Sequence, residues 1–275
     1  MRRRDLLYLL GGAAASWPRA GAAQPAKVPV IGVLVVGSPG SDKFWRLFQD
    51  ALRRLGYVEG KTVRFEFRSD QGQASRLPEL AAELVRLKPD VIVTWFTPAA
   101  TAAKQATGDI PIVMAPAGDP IATGLVQSLA RPGGNVTGIS GVAAQLSGKI
   151  IEFFGDLLPS GRRFSVLVNA SDPFSKPFLE HVRLAADTGG KTIDAVTIGD
   201  AEALDAAFAA MERSRPDGII VQPSLPIART AQLALKSRIP AACALRAFAD
   251  EGGLIAIGLP RPICMAAPRC SSTRS

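Results

Sequence analysis

Residues 28–37 read VPVIGVLVVG, an unbroken apolar run rich in β-branched side chains and closed by a glycine. A strand with one wet face alternates apolar and polar residues. A run this uniform is buried on both faces, and that means a parallel sheet with helices above and below it. The next segment, SDKFWRLFQDALRRLGY, supplies a helix: Phe44, Leu47, Phe48, Ala51, Leu52 and Leu55 recur at helical spacing, with Ser41 or Asp42 as N-cap and Gly56 as the stop.

The strand–helix unit then repeats. KTVRFEFRS predicts a strand and SRLPELAAELVRLK a helix. DVIVTWF is a strand, followed by the helix TPAATAAKQAT with Thr97 as N-cap and Pro98 in its first turn. IPIVMAP is a strand, and IATGLVQSLA is expected to be a helix. RPGGNVTGIS breaks the rhythm with a Pro-Gly-Gly turn and a short strand, which predicts a crossover. Four more units follow, ending in IPAACAL and FADEGGLIAIG. The pattern predicts an α/β protein of two Rossmann-like lobes with parallel sheets. Residues 27–138 form lobe 1, 139–250 lobe 2, and 251–258 a strand returning to lobe 1. Residues 259–275, LPRPICMAAPRCSSTRS, follow neither a strand nor a helix period and read as an aberrant tail.

Charge excludes one class of function. The chain of 275 residues carries a net +8, but outside 1–22 and 259–275 basic and acidic residues nearly balance at 25 and 23. No basic stripe interleaved with aromatics remains to follow a nucleic acid, so no nucleic-acid partner is expected. Residues 1–23 have a basic start, an apolar middle and small residues at Ala20-Gly21-Ala22, the plan of an export signal. Its Arg3-Arg4 pair fits either the twin-arginine pattern or a general secretion signal. Either one predicts a periplasmic mature protein. Cys243 is the one cysteine outside the tail and reads as a small buried hydrophobe, while His181 is the one histidine. No metal spacing, P-loop or G-x-S-x-G appears, so neither a cofactor, a metal site nor catalysis is expected.

Ligands of open parallel sheets bind beyond the carboxyl ends of the strands. Those ends carry Ser38, Phe96 and Thr97, Gly118 and Asp119, Asn169 and Ser171, and Gln222 and Ser224. Hydroxyls and free helix N–H groups there suit a ligand carboxylate. Asp119 suits an ammonium group or serves only as a turn residue, and Ser38, Thr97 and Ser224 are ligand contacts or simply caps. Trp95 or Phe96 offers an aromatic wall, with the other in the core.

VIGVL, LGYVEGKTVRFEFR, LPELAAELVRLKPDVIV, TPAATAAKQAT, GDPIATGLVQSLARPGGNVTGIS, VLVN and GGLIAIG occur in this order behind a double-arginine leader. The set resembles the tryptophan/tyrosine-type substrate-binding family of ABC transporters, over about residues 1–258. The resemblance implies a type I periplasmic-binding fold that clamps a small organic solute, possibly an amino acid, and docks as a monomer on an inner-membrane ABC permease. It places Thr97, Gly118, Asp119 and Asn169 at loops facing the cleft. In that family the strand matching GGLIAIG is followed by elements that complete lobe 1, so the chain reads as truncated or frameshifted after about residue 258. The alternatives are a ligand sensor of the same fold signalling to a membrane receptor, or a non-functional truncated product.

Overall fold

Parallel neighbours cannot be joined by tight turns, so each strand must be followed by a crossover long enough to climb back over the sheet. The computed structural model describes residues 27–37, 42–141 and 143–257, and most of its crossovers are helices. The first lobe runs β1 (Val30–Val35), α1 (Asp42–Arg54), β2 (Arg64–Ser69), α2 (Leu77–Arg86), β3 (Val91–Trp95), α3 (Thr97–Ala106), β4 (Ile112–Gly118) and β5 (Val136–Gly141). The second runs α4 (Ala143–Leu157), β6 (Arg163–Asn169), α5 (Ser175–Thr188), β7 (Thr192–Ile198), α6 (Ala201–Ser214), β8 (Gly218–Val221), α7 (Ile227–Ser237), β9 (Ala241–Cys243), α8 (Arg246–Asp250) and β10 (Ile255–Ala256).

Every named strand pair is parallel. The sheets are ordered β2-β1-β3-β4-β5 and β7-β6-β8-β9-β10, the same doubly wound order twice. Local details repeat with it. KPD (88–90) and RPD (215–217) each lead into the third strand of a lobe, with Lys88 and Arg215 both left-handed at φ 50° and 48°. Asp90 then accepts from Val30 N–H at 2.7 Å, and Asp217 from Arg162 and Arg163 N–H at 2.8 Å. These amides hold both carboxyls below their ordinary range and tie the third strand to the start of the first.

Each sheet is covered on both faces. In lobe 1, Leu80 and Leu84 of α2 and Ala99 and Ala103 of α3 pack on Leu34, Ile92 and Ile112. On the opposite face Phe44 of α1 meets Val33 and Val35, and its ring lies 3.8 Å from that of Trp95. In lobe 2, Ile150, Phe154, Phe178 and Val182 of α4 and α5 cover one face. Leu204, Phe208, Ala231 and Phe248 of α6, α7 and α8 cover the other. Cys243 is fully buried in β9, where desolvation pushes its thiol up to about 12 and leaves it unreactive. No helix among the described residues is long and apolar enough to cross a membrane.

Four expectations change. Residues 121–130 form turns rather than a helix, because Thr123 N–H and Val126 N–H bond back to Asp119 and Pro120 carbonyls around a left-handed Gly124. Ile139–Gly141, assigned to lobe 2, belong to the first sheet, since Ser140 and Gly141 pair with Ala117 and Gly118. The strand in 251–258 does not return to lobe 1. The turn at Gly252 (φ 98°) leaves so short a link that Ile255 and Ala256 can reach only the neighbouring β9, pairing with Ala242 and Cys243. Finally, Thr97 is the first residue of α3 and not its cap. The export signal 1–23 and the tail 259–275 lie outside the described residues.

Phe154 is fully buried between α4 and the sheet, with its ring tilted against Phe164 at 5.1 Å. Phe154→Ala is expected to lower the unfolding free energy by about 3–5 kcal/mol, the usual result of an aromatic cavity. Urea denaturation followed by circular dichroism measures it.

Candidate functional site

In a 2-1-3-4-5 sheet the chain reverses direction between strands 1 and 3, which leaves a crevice at their carboxyl ends. Here that happens twice, between β1 and β3 and between β6 and β8, and the two crevices face each other across one cleft.

Two adjoining cavities fill the cleft. The first, with about 340 Å³ of empty space including the part open to solvent, is lined by Gly37, Asp70 and Gly72 of lobe 1 and by Asn169, Asp200 and Ser224 of lobe 2. The second, about 320 Å³ on the same measure, is lined chiefly by Phe96, Pro116 and Gly118 against Phe174, Pro223 and Ser224. Ser224 lines both, so the two adjoin at the tip of β8. The first sets two carboxylates and an amide beside Ile198, Leu225 and Pro226, and the second sets rings and prolines beside Thr97 and Asp172.

The lobes meet tightly where Gly118 faces Phe174. A Cβ on Gly118 would lie 2.5 Å from that ring, closer than carbon atoms pack. Phe174 is itself buried, and its N–H donates to Asp172 Oδ1 at 2.9 Å.

Asp172 anchors a buried polar network at the tips of β6 and β8. Its Oδ2 accepts from Ser224 Oγ at 2.6 Å and Gln222 Nε2 at 2.8 Å. Gln222 Oε1 in turn accepts from Asn169 N–H at 2.8 Å and Ser175 Oγ at 2.9 Å. No cation joins these hydrogen bonds. Burial therefore dominates and pushes Asp172 up to about 6, against the opposing pull of Ser224 and the Phe174 amide.

Phe96 sits at φ 70°, ψ 163°, a conformation favoured almost only by glycine and costing on the order of 1–3 kcal/mol. Two bonds hold it: Phe96 N–H to the Pro116 carbonyl at 3.1 Å, and Ala100 N–H to the Phe96 carbonyl at 3.2 Å. The turn directs Phe96 into the cleft, while Trp95 stays against Phe44 on the α1 face.

Of the residues expected here, Phe96, Thr97, Gly118, Asn169 and Ser224 line the cleft. The Thr97 hydroxyl accepts from Gly118 N–H at 2.9 Å and so joins the tips of β3 and β4. Gln222 is fully buried beneath the cavities as a support. Asp119 lines neither cavity, and its Oδ1 accepts from Ala122 N–H at 3.0 Å within its turn. Ser171 is exposed, its N–H bonded to Asn169 Oδ1. Ser38 lies outside the described residues. Sequence reasoning missed Asp70, Asp172 and Phe174. Asp70 was within its reach, since it directly follows β2 at a strand's carboxyl end.

Comparison with known proteins agrees with this geometry. Residues 27–262 match the family model described as "ABC transporter substrate binding protein". The chain is 37% identical over 142 residues to a "Tyrosine-binding protein" of Clostridioides difficile, a match covering 52% of this chain and 41% of that protein. It thus spans less than half the length of that curated relative. A Streptococcus pneumoniae ABC domain solved in complex with L-Trp superposes with TM-score 0.75 at 28% identity, over 84% of this chain and 79% of that one. A conserved domain protein of Vibrio cholerae superposes equally well, TM-score 0.75 at 26% identity, over 82% and 77%.

The raised Asp172 makes stability depend on pH. Between its ordinary value of 3.8 and about 6 the folded protein holds a proton that the unfolded chain releases. This group's contribution to stability is therefore present below that window and lost as pH rises through it, by about 3 kcal/mol. Subtracting the stability curve of Asp172→Asn from that of the wild type should leave a fall of this size between those pH values. Denaturant titrations at half-unit pH steps test it, and a flat difference contradicts it.

Proposed function

Since the chain belongs to the ABC transporter substrate-binding protein family, we propose that it is an extracytoplasmic, monomeric receptor. It clamps one small solute, an amino acid with an aromatic or apolar side chain, and delivers it to an inner-membrane ABC permease. The carrying observation is the convergence of two sheet switch points on one cleft, with two carboxylates and an amide in one cavity and two aromatic rings and two prolines in the other. An amino acid has the same division. Its side chain fits among Phe96, Pro116, Phe174 and Pro223, and its charged head lies toward Asp70, Asn169 and Ser224. The tyrosine-binding relative and the L-Trp complex support the choice of ligand.

The lobes work as a hinged clamp. A ligand touching both lobes binds the closed form more tightly than the open one, and this differential affinity draws the equilibrium toward closure. The closed form then docks on the permease. No bond of the solute is made or broken, and His181 is bonded to the Pro177 carbonyl on α5, away from both cavities.

Thermal denaturation of the full chain with each amino acid in turn tests the reading. A true ligand at a hundredfold excess over its Kd should raise the melting temperature by about 5–10 °C. Mass spectrometry should recover it unchanged. A chemically altered ligand, or no response to any amino acid, would sink the proposal.

The Gly118–Phe174 contact gives a second test. Gly118→Ala should force the lobes apart at their tightest point and weaken ligand affinity about tenfold, equivalent to ~1.4 kcal/mol. Isothermal titration measures the affinity, and small-angle scattering should show a larger radius of gyration.

A further inference from the structure

The first cavity of the cleft holds a carboxylate that is only half satisfied. Asp70 is fully buried just beyond β2. Its Oδ1 accepts from Gly37 N–H at 2.8 Å and from Gly72 N–H at 3.0 Å, pinning the tips of β1 and β2 together. Its Oδ2 is buried too and has no hydrogen-bond partner. A buried acceptor left unpaired forfeits its solvation without return, a cost native structures seldom retain without cause.

No basic side chain lines this cavity; Arg76, in the turn before α2, acts on Asp70 by its charge but makes no hydrogen bond to Oδ2. The other carboxylate on the wall, Asp200, is exposed and caps α6 through Ala203 N–H at 2.7 Å. Across the cleft, Asn169 Oδ1 is engaged by Ser171 N–H, and Ser224 Oγ is spent on Asp172. Asp70 Oδ2 is thus the side-chain acceptor of this wall left without a donor, and what fits it is a donor with positive charge. A hard divalent cation takes about six or more oxygen ligands. Among the described residues no group of three His, Cys, Asp or Glu gathers to offer them. A primary ammonium needs fewer partners and forms a charge-assisted bond to a single carboxylate oxygen.

We propose that Asp70 is the ammonium-recognising residue of the cleft: its free Oδ2 accepts from the amino group of the solute and makes the clamp select amines over otherwise identical acids. This rests on the solute-receptor reading above and adds the residue that sets its selectivity. Desolvation already presses on this carboxyl and raises its pKa against the pull of the Gly37 and Gly72 amides and the charge of Arg76. A bound ammonium relieves that pressure only in the liganded state. Asp119, the carboxylate nominated by sequence, is turned to its own loop instead.

The test compares ligand pairs that differ only in the amino group, by isothermal titration on the full chain. The pairs are L-tryptophan with indole-3-propionate, L-tyrosine with 3-(4-hydroxyphenyl)propionate, and L-leucine with 4-methylpentanoate. The wild type should bind the amine of at least one pair about tenfold or more tighter than its deaminated partner, the effect of one charge-assisted hydrogen bond. Asp70→Asn keeps an oxygen for the Gly37 and Gly72 amides and should erase that preference. Asp70→Ser, with a hydroxyl acceptor, serves if the first variant does not fold, and Asp119→Asn, outside both cavities, should leave the preference intact. Equal affinities within the pairs, or a preference that survives in the Asp70 variants, overturns the role of Asp70 while the receptor reading stands. Failure of the wild type to bind any amino acid, in these pairs or in the thermal screen, overturns both.

Discussion

The closed cleft depends on one steric fact: lobe 1 presents no side chain at Gly118, and lobe 2 fills that space with the ring of Phe174. Few contacts link two lobes that hold separate cores, so a contact this close fixes how near their strand tips approach. That distance decides whether one small molecule can touch both lobes at once. Phe174 is not free to yield, because its N–H is bonded to Asp172 and its ring packs edge-on to Phe178 at 5.8 Å. The constraint thus passes from the interface into the second core.

Asp172 stands beneath that contact and ties it into the second lobe. A buried carboxylate without a countercharge is costly unless its oxygens are filled with hydrogen bonds. Asp172 receives one from each of Phe174, Gln222 and Ser224, and Gln222 extends the network to Asn169 and Ser175. Each member orients the next, so the tips of β6 and β8 and the start of α5 move as one piece. The same bonds leave Asn169 and Ser224 facing the cavity in fixed positions.

The sequence made the architecture legible because burial on both faces writes itself into a strand. VIGVLV and VLVN need no partner to be recognised, and a parallel sheet places their carboxyl ends at the site by topology alone. Phe96, Thr97, Gly118, Asn169 and Ser224 followed from that rule. What failed was whatever depends on packing between elements. RFEFRS alternates polar and apolar residues instead of forming an unbroken apolar run, so nothing in it marks the tip that Asp70 follows. Asp172 and Phe174 lie in a loop past β6, and only the opposing lobe gives that loop its meaning. GGLIAIG is plainly a strand, yet its partner is set by the short turn through Gly252, and period and composition say nothing of that.

The two lobes share one strand order but are not equivalent, and the difference shows where ligand energy enters. Lobe 2 reaches the cleft with its polar groups satisfied. Lobe 1 arrives with two deficits, Phe96 held in a backbone conformation that costs on the order of 1–3 kcal/mol and Asp70 with an unpaired buried oxygen. Both stand at strand tips, one in each cavity. A lobe that must be complete before binding would gain nothing from either defect. On the proposed receptor reading both have a use: the strain turns a ring toward the solute's apolar part, and the unpaired oxygen accepts from its amino group. Interactions missing from the empty protein and present in the occupied one are the source of differential affinity between its states. On that reading, these two lobe 1 groups are the ones a solute would complete, while lobe 2 brings to the cleft a network already closed on itself.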